Sequence, residues 1–322
     1  MTQKPRALLT FPILDEVVQK ARTVFDVIYD ADKALTTEEV VALANREQPV
    51  AIMIVMRHKM TAEVIARLPA SVKILATSSV GFDHIDLTAA KTRNITVTNT
   101  PEVLTDATAD LAFLLLLAAA RRLPEAMATM ASGWGATVGF SEQLGIDLRG
   151  KNLAIYGMGR IGQALAHRAR AFGMKILYSN RHRLPTELEK DATYFKDLKD
   201  MLPHAQVLSL NAPASSENAK IINSEMLKLM PQNSILINAG RGSLVDEDAL
   251  IEALRSGHLF SAGLDVFSQE PQVDPRFLEL KNVVLTPHIA SGTRETRTAM
   301  GLRALENMIA VARGESAKDA LS

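Results

Sequence analysis

Short apolar runs alternate with helical patterns through the first hundred residues. Continuous runs rich in β-branched residues are typical of strands buried on both faces of a sheet. Five runs are predicted as strands: 6–11, 26–29, 50–55, 72–76 and 95–98. Residues 14–25 have a helical period, and Thr36 followed by Glu39 matches a capping box at the start of another helix. The alternation of strands and helices predicts a parallel sheet.

The pattern changes after residue 100 and restarts near Lys151. An apolar helix is predicted at 106–122, and the Gly-rich segment 131–150 is predicted to be an irregular connection or arm. Further strands are predicted at 152–156, 175–178, 207–210, 234–238, 261–266 and 283–285. Helices are predicted at 160–172, 246–256 and 294–313. A second series of strands and helices predicts a second parallel sheet.

The two series of strands and helices predict two α/β domains, and we expect the second to be inserted into the first. We expect residues 1–100 and 290–322 to form the outer domain, and residues 101–289 to form the inserted domain. The length of 322 residues fits two domains of ordinary size.

Composition excludes several classes of protein. Lys and Arg number 36 and Asp and Glu number 36, so the net charge is zero and gives no bulk attraction for nucleic acid. The absence of cysteine excludes disulfides and thiolate metal sites and fits a reducing cytoplasm. The apolar run 111–120 is well short of the ~20 residues that a membrane span needs. We expect a cytoplasmic protein with neither nucleic-acid nor membrane partners.

A glycine-rich turn carries the first chemical signal. Residues Gly157, Met158, Gly159, Arg160, Ile161 and Gly162 form a G-x-G-x-x-G sequence between a predicted strand and a predicted helix. In that context the first glycine permits a tight turn, the second lets the backbone approach a pyrophosphate, and the third lets helix and strand pack closely. We predict a Rossmann dinucleotide-binding domain with these six residues at the cofactor.

The end of the next strand indicates which dinucleotide binds. An NAD site usually has an acidic residue there, but this chain has Ser179, Asn180 and Arg181, followed by His182 and Arg183. A carboxylate would repel a 2′-phosphate, whereas a guanidinium binds one through paired donors. We therefore predict NADPH in preference to NADH, with Ser179, Asn180 and Arg181 as contacts. The alternative is that the two arginines are solvated loop charges.

Three segments of the second half place reactive residues just after predicted strands. They are Asn238-Ala239-Gly240-Arg241-Gly242, the segment from Asp265 to the Glu270-Pro271 pair, and Thr286-Pro287-His288-Ile289-Ala290. Ligands of doubly wound sheets bind at the carboxyl ends of the strands, so these segments are expected to converge.

Taken with the glycine-rich turn and with Ser79-Val80-Gly81-Phe82-Asp83-His84-Ile85-Asp86, these segments resemble the D-2-hydroxyacid dehydrogenase family over nearly the whole chain. The variant at Ser179-Asn180-Arg181 resembles the NADPH-dependent glyoxylate and hydroxypyruvate reductases within it. The resemblance implies a Rossmann cofactor domain inserted into a flavodoxin-like substrate domain, with the active site in the cleft between them. It also implies a homodimer, with a dimerisation arm near 121–150.

The resemblance implies a catalytic role for three residues. His288 would donate a proton to the substrate carbonyl, since an imidazole exchanges protons near neutral pH. Glu270 would orient that imidazole and favour its charged form. Arg241 would bind the substrate carboxylate and polarise the carbonyl. A single residue of any of these types is usually a turn or helix-end residue. The catalytic interpretation depends on all three occurring at positions that match the family.

Further contacts are implied with less support from the residues themselves. Val80 and Gly81 resemble a loop whose backbone amides bind the substrate carboxylate. Arg57 either reaches the substrate or is a surface charge. Thr108, Ala239 and Asp265 resemble cofactor contacts, although Thr108 could equally be a structural hydroxyl and Asp265 a strand-end cap. His84 lies between Asp83 and Asp86, but this spacing is poor for a metal, and no metal site is predicted.

The sequence predicts NADPH-dependent reduction of a small 2-oxo acid, glyoxylate or hydroxypyruvate, to the D-2-hydroxy acid. Two alternatives remain open. One is a dehydrogenase for another 2-oxo acid such as 2-ketogluconate, and the other is a dinucleotide-sensing protein that binds partners without catalysis.

Overall fold

The computed structural model describes residues 4–135 and 137–321. The chain divides into two compact units. Unit 1 comprises Met1–Leu104 and Ser291–Ser322, and unit 2 comprises Thr105–Ala290.

Strands and helices alternate along the described chain. The strands are β1 (Arg6–Leu9), β2 (Asp26–Tyr29), β3 (Ala51–Ile54), β4 (Ile74–Thr77), β5 (Thr96–Thr98), β6 (Asn152–Tyr156), β7 (Lys175–Ser179), β8 (Thr193–Phe195), β9 (Val207–Leu210), β10 (Ser234–Asn238), β11 (Leu259–Leu264) and β12 (Val283–Leu285). The α-helices are α1 (Asp15–Val24), α2 (Thr37–Glu47), α3 (Ala62–Ala66), α4 (Leu87–Thr92), α5 (Thr105–Ala120), α6 (Leu123–Ala131), α7 (Arg160–Ala171), α8 (Thr186–Glu189), α9 (Leu198–Met201), α10 (Ser224–Leu229), α11 (Glu247–Arg255), α12 (Pro275–Leu278) and α13 (Arg294–Ala312). Leu202–His204 and Gly242–Leu244 form 3₁₀ turns.

Unit 1 is built on a parallel five-stranded sheet. Its strand order is β2-β1-β3-β4-β5, which is the flavodoxin-like order. Successive residues of the central strands enter separate cores on the two faces: Ile52 and Leu75 pack in one, and Met53 and Ala76 in the other. Burial on both faces explains why these strands are continuous apolar runs. The capping box predicted at Thr36 and Glu39 is present at the start of α2.

Unit 2 is built on a parallel seven-stranded sheet. Its order is β12-β11-β10-β9-β6-β7-β8, so the chain leaves β6 toward β7 and later returns to the other side of β6 as β9. This reversal is the switch point at which doubly wound sheets bind dinucleotides. The glycine-rich turn follows β6 directly and therefore lies at that point. The predicted fold class, two doubly wound α/β domains, is confirmed.

Three elements differ from the prediction. The strand predicted at 261–266 lies at Leu259–Leu264; the Asp265 amide still donates to the carbonyl of Asn238 on β10, and its side chain binds the neighbouring loop. Edge strand β8, Thr193–Phe195, was not predicted, because it lacks the run of aliphatic residues that marks the equally short edge strand β12. The helix predicted at 106–122 ends at Ala120, and α6 begins after Arg122, whose φ of +53° breaks the helical path.

The helices of the described residues include none with the length and apolar character required to cross a membrane.

Candidate active site

Steric constraints at the turn after β6 assign a separate task to each glycine. Gly157 has a φ of +96°, and a β-carbon there would lie 2.4 Å from the backbone nitrogen of Ala212. A β-carbon at Gly162 would lie 2.5 Å from the carbonyl oxygen of Gly157, so helix α7 can approach β6 only without a side chain. Gly159 has no neighbouring atom within 4 Å of its β-carbon position, which leaves its backbone open to a ligand. These residues fit a dinucleotide pyrophosphate.

Helix α7 supplies the donors for such a group. Its first internal hydrogen bond runs from the Gln163 amide to the Gly159 carbonyl, so the amides of Arg160, Ile161 and Gly162 are not used within the helix. These amides and the helix dipole favour an anion. The Met158 amide instead donates to Asn180 Oδ1 at 2.7 Å. Met158 and Asn180, two predicted cofactor contacts, thus bind each other and fix the turn against the end of β7.

The two arginines that follow β7, Arg181 and Arg183, differ in their surroundings. Arg183 donates to Glu189 at 3.0 Å, and buried Glu189 also accepts from the Tyr178 hydroxyl at 2.9 Å. The hydrogen bond from Arg183 lowers the pKa of the Glu189 carboxyl although burial opposes it. Ser179 is buried at the strand end, and Arg181 is exposed. Arg183 therefore neutralises a carboxylate, and Arg181 is the arginine predicted to meet a 2′-phosphate.

The turn after β10 holds Arg241 through two contacts that the sequence did not predict. Asn238 donates from Nδ2 to the Arg241 carbonyl at 2.9 Å and accepts from the Gly240 amide at 3.1 Å. A β-carbon at Gly242 would lie 2.0 Å from the Phe267 carbonyl carbon, so this turn presses directly on the loop after β11. The asparagine in Asn238-Ala239-Gly240 was the available signal, because asparagine side chains commonly bind the backbone of their own turn.

The predicted acid and its partner meet at the ends of β11 and β12. His288 Nδ1 lies 2.6 Å from Glu270 Oε2, and Glu270 Oε1 accepts from the Phe267 amide at 2.9 Å. Burial alone would raise the pKa of Glu270, but these hydrogen bonds and the charge of Arg241 hold it below its ordinary value. Because the ionised carboxylate only accepts, Nδ1 is the donor, and Nε2 is the ring nitrogen left to exchange a proton with a substrate.

Asp265 fixes the loop that carries His288. His288 has a φ of +53°, a left-handed conformation that a non-glycine residue keeps only when its surroundings impose it. The fully buried Asp265 carboxylate accepts from the Thr286 hydroxyl at 2.6 Å and from the amides of Ile289 and Ala290 at 2.8 and 2.9 Å. Burial raises the pKa of Asp265, and these three hydrogen bonds oppose the rise. The predicted carboxamide contact of Asp265 stays a prediction.

The remaining predicted residues lie in both units. In unit 2, Thr108 is buried near the start of α5, and Ala239 is half-buried after β10. In unit 1, Val80 and Gly81 follow β4, and Arg57 is exposed after β3. Across residues 4–135 and 137–321, no three His, Asp or Glu side chains are grouped as metal ligands.

Comparison with known proteins adds independent findings. The family model described as D-isomer specific 2-hydroxyacid dehydrogenase, NAD binding domain, matches residues 113–290. A glyoxylate reductase of Thermococcus litoralis is 43% identical over 316 residues, covering 97% of this chain and 95% of the relative. A glycerate dehydrogenase of Hyphomicrobium methylovorum is 39% identical over 308 residues, covering 94% of each chain.

Among solved structures, an NADPH-dependent glyoxylate/hydroxypyruvate reductase of Sinorhizobium meliloti, in complex with NADP and malonate, superposes with a TM-score of 0.88. It is 32% identical, and the match covers 99% of this chain and 97% of that one.

Proposed function

Because this chain belongs to the D-isomer-specific 2-hydroxyacid dehydrogenase family, we propose that it reduces glyoxylate or hydroxypyruvate with NADPH. The product is the 2-hydroxy acid, of D configuration where that carbon is chiral. The protein is an NAD(P)-dependent 2-hydroxyacid dehydrogenase, and its similarity to glyoxylate reductases and a glycerate dehydrogenase supports reduction of a small 2-oxo acid.

The observation that carries the proposal is the His288–Glu270 pair, with Nδ1 and Oε2 2.6 Å apart and Arg241 acting on the same carboxylate. A bound nicotinamide supplies the hydride that reaches the carbonyl carbon. His288 Nε2 donates the proton that reaches the carbonyl oxygen, and Glu270 holds the ring in place. Arg241 binds the substrate carboxylate and stabilises negative charge that develops on the carbonyl oxygen.

The proposed preference for NADPH is supported by the end of β7. No carboxylate occupies positions 179–181, and the nearby Glu189 is already paired with Arg183. Arg181 is therefore proposed to bind the 2′-phosphate beside Ser179 and Asn180. The Sinorhizobium meliloti neighbour, which is named as NADPH-dependent, agrees with this proposal.

Two further parts of the proposal concern the substrate and the assembly. The backbone amides of Val80 and Gly81 are proposed to bind the substrate carboxylate, with Arg57 as a further contact. A homodimer is supported by apolar side chains exposed on α6 and on the arm that follows it: Met127, Met130, Trp134, Phe140 and Leu144.

A spectrophotometric panel tests the function. Glyoxylate, hydroxypyruvate, pyruvate and 2-ketogluconate would each be assayed with NADPH and with NADH. We expect the highest kcat/KM for glyoxylate or hydroxypyruvate with NADPH. Highest activity on 2-ketogluconate would favour the alternative dehydrogenase, and binding of NADPH without turnover of any 2-oxo acid would overturn the proposed reaction.

Arg181→Ala tests the coenzyme preference. Loss of a charge-assisted hydrogen bond to the 2′-phosphate should lower kcat/KM for NADPH at least about tenfold and leave NADH nearly unchanged. Lys196→Ala, which removes another exposed cation of unit 2, is the matched control. An NADPH/NADH ratio that is the same in Arg181→Ala and in the parent protein would show that Arg181 is a solvated loop charge.

A further inference from the structure

A cluster of buried polar side chains lies at the end of β4 and in the loop after it, in unit 1, and has no part in the catalytic set described above. Thr77, Ser79 and His84 are 0%, 6% and 5% exposed. Thr77 Oγ1 lies 2.8 Å from Ser79 Oγ and 3.1 Å from His84 Nε2. Ser79 Oγ lies 2.7 Å from the Gly81 carbonyl oxygen. Burying polar side chains costs free energy unless they are hydrogen-bonded. A buried network whose members are hydrogen-bonded to one another makes the segment that it joins rigid.

The direction of these hydrogen bonds follows from counting protons. The Gly81 carbonyl can only accept, so the single hydroxyl hydrogen of Ser79 is directed to it. Thr77 must then donate to Ser79, and His84 Nε2 must donate to Thr77. The result is a one-way relay from His84 through Thr77 and Ser79 to the Gly81 carbonyl. Such a chain polarises its last member and strengthens each bond in it.

The neighbouring carbonyls are held as well. The Ser79 carbonyl accepts from the Thr100 amide at 2.9 Å, and the Val80 carbonyl accepts from Asn99 Nδ2 at 2.8 Å. Three consecutive peptide groups thus have their oxygens bound by the protein. In a trans peptide the N–H points away from the C=O of the same plane, so three amides face away from these donors. They belong to Val80, Gly81 and Phe82.

These three amides are available to a ligand. Within residues 4–135 and 137–321, no protein acceptor takes a hydrogen bond from the Val80, Gly81 or Phe82 amide. Consecutive backbone amides presented in this way form an anion-binding concavity. Fixing the carbonyls in advance removes the ordering cost that a flexible loop would incur when the anion binds.

We propose that His84, Thr77 and Ser79 are positioning residues that preset the Val80–Phe82 amides for the substrate carboxylate. The inference rests on the proposed function, because it takes a 2-oxo acid as the anion. It adds the Phe82 amide to the predicted contacts and gives three buried side chains a role in substrate affinity. None of the three is required to touch the substrate.

Thr77→Val tests the relay, because it keeps the shape of the side chain and removes its hydroxyl. We expect the KM for glyoxylate and the Kd for oxalate, a dicarboxylate that cannot be reduced, to rise about tenfold. The Kd for NADPH, measured by fluorescence, and kcat should change less than about threefold, since no catalytic residue is altered. Ser79→Ala breaks the next link and should act in the same direction.

Thr98→Val is the matched control. Thr98 is equally buried on the adjacent strand β5, and its hydroxyl has no hydrogen-bond partner in the described structure. This variant should bind glyoxylate and oxalate like the parent protein. Equal effects of Thr77→Val and Thr98→Val, or a parallel loss of NADPH binding in Thr77→Val, would overturn the relay.

Oxalate binding separates this proposal from the proposed function. If the parent protein reduces no 2-oxo acid, the proposed function fails, and calorimetric titration of oxalate into the NADP-saturated protein still tests the relay. Weaker oxalate binding in Thr77→Val and Ser79→Ala, with no change in Thr98→Val, would support it. Unchanged oxalate binding in both variants, or no oxalate binding by the parent protein, would contradict it.

Discussion

Two loops of this protein are held by buried polar side chains, and the two sets differ in charge. In the loop after β4 in unit 1, the Ser79 hydroxyl and the Asn99 side-chain amide bind carbonyl oxygens, and the Thr77 hydroxyl and the His84 imidazole hold Ser79 in place. The loop after β12 in unit 2 is fixed by the carboxylate of Asp265, which binds its amides. The first set binds carbonyl oxygens and leaves the amides of its loop available to a ligand. The second set binds the amides of its loop, so they are not available.

The difference follows from what each loop is proposed to present. A buried carboxylate beside the amides of the loop after β4 would repel the anionic substrate that they are proposed to bind. Neutral donors therefore suit this loop. The loop after β12 presents an imidazole and not its amides, so those amides can bind a carboxylate that fixes the loop. Burial of Asp265 is costly, and its three hydrogen bonds offset part of that cost.

The largest effect is expected from the residue that the second loop carries. His288→Gln should lower kcat by roughly 10²–10⁴-fold, because the proton donor is lost. The melting temperature and the Kd for NADPH should stay close to those of the parent protein. His167→Gln, an exposed histidine of the same unit, is the control. A fall in kcat of less than about tenfold would show that His288 is not the acid.

A smaller effect is expected from the residue that holds that loop. In Asp265→Asn one amide oxygen can still accept, but the NH₂ group faces a backbone donor and leaves it unpaired. We expect kcat to fall roughly 10–10²-fold through misplacement of His288, with a stability loss of about 1–3 kcal/mol measured by urea unfolding.

Thr286→Val sharpens this second test. It removes one of the three donors to Asp265 and should reproduce part of the fall in kcat. If Asp265→Asn instead raises the KM for NADPH and leaves kcat unchanged, Asp265 acts as the predicted carboxamide contact and not through the loop.

The smallest effect is expected at Asn99, in the neutral set. Asn99→Ala removes the donor to the Val80 carbonyl and should raise the KM for glyoxylate about threefold. Asn99→Asp removes the same donor and adds a buried negative charge, so its KM should rise more, by about tenfold. Steady-state kinetics on both variants measures the difference. Equal KM values would show that this loop does not need neutral surroundings.

The sequence predicted the regular framework closely where local patterns are strong. β6 and β10 are continuous apolar runs, and their observed bounds, Asn152–Tyr156 and Ser234–Asn238, match the prediction. The tasks of Gly157 and Gly162 were also predicted, because a glycine in a strand-turn-helix context has few other uses. β8 was not predicted, because its three residues (Thr-Tyr-Phe) lack the aliphatic run that marked the equally short edge strand β12 (Val-Val-Leu).

Contacts between side chains were not predictable from local sequence patterns. The nearness of Glu270 and His288 was predicted through resemblance to a family, and their chain separation of 18 residues carries no such information. The use of Arg183 by Glu189 was missed, although both lie in one short stretch, because an exposed arginine has many partners within reach.

The sequence by itself determined the order of strands and helices, the glycine-rich turn and the chemical types available at the strand ends, because these depend on neighbours along the chain. Tertiary structure alone decided that Asp265 organises the histidine loop and that a hydroxyl relay organises the loop after β4. Both depend on which buried groups meet once parallel strands have paired, and a buried polar group must bond to whichever donor or acceptor the fold places beside it.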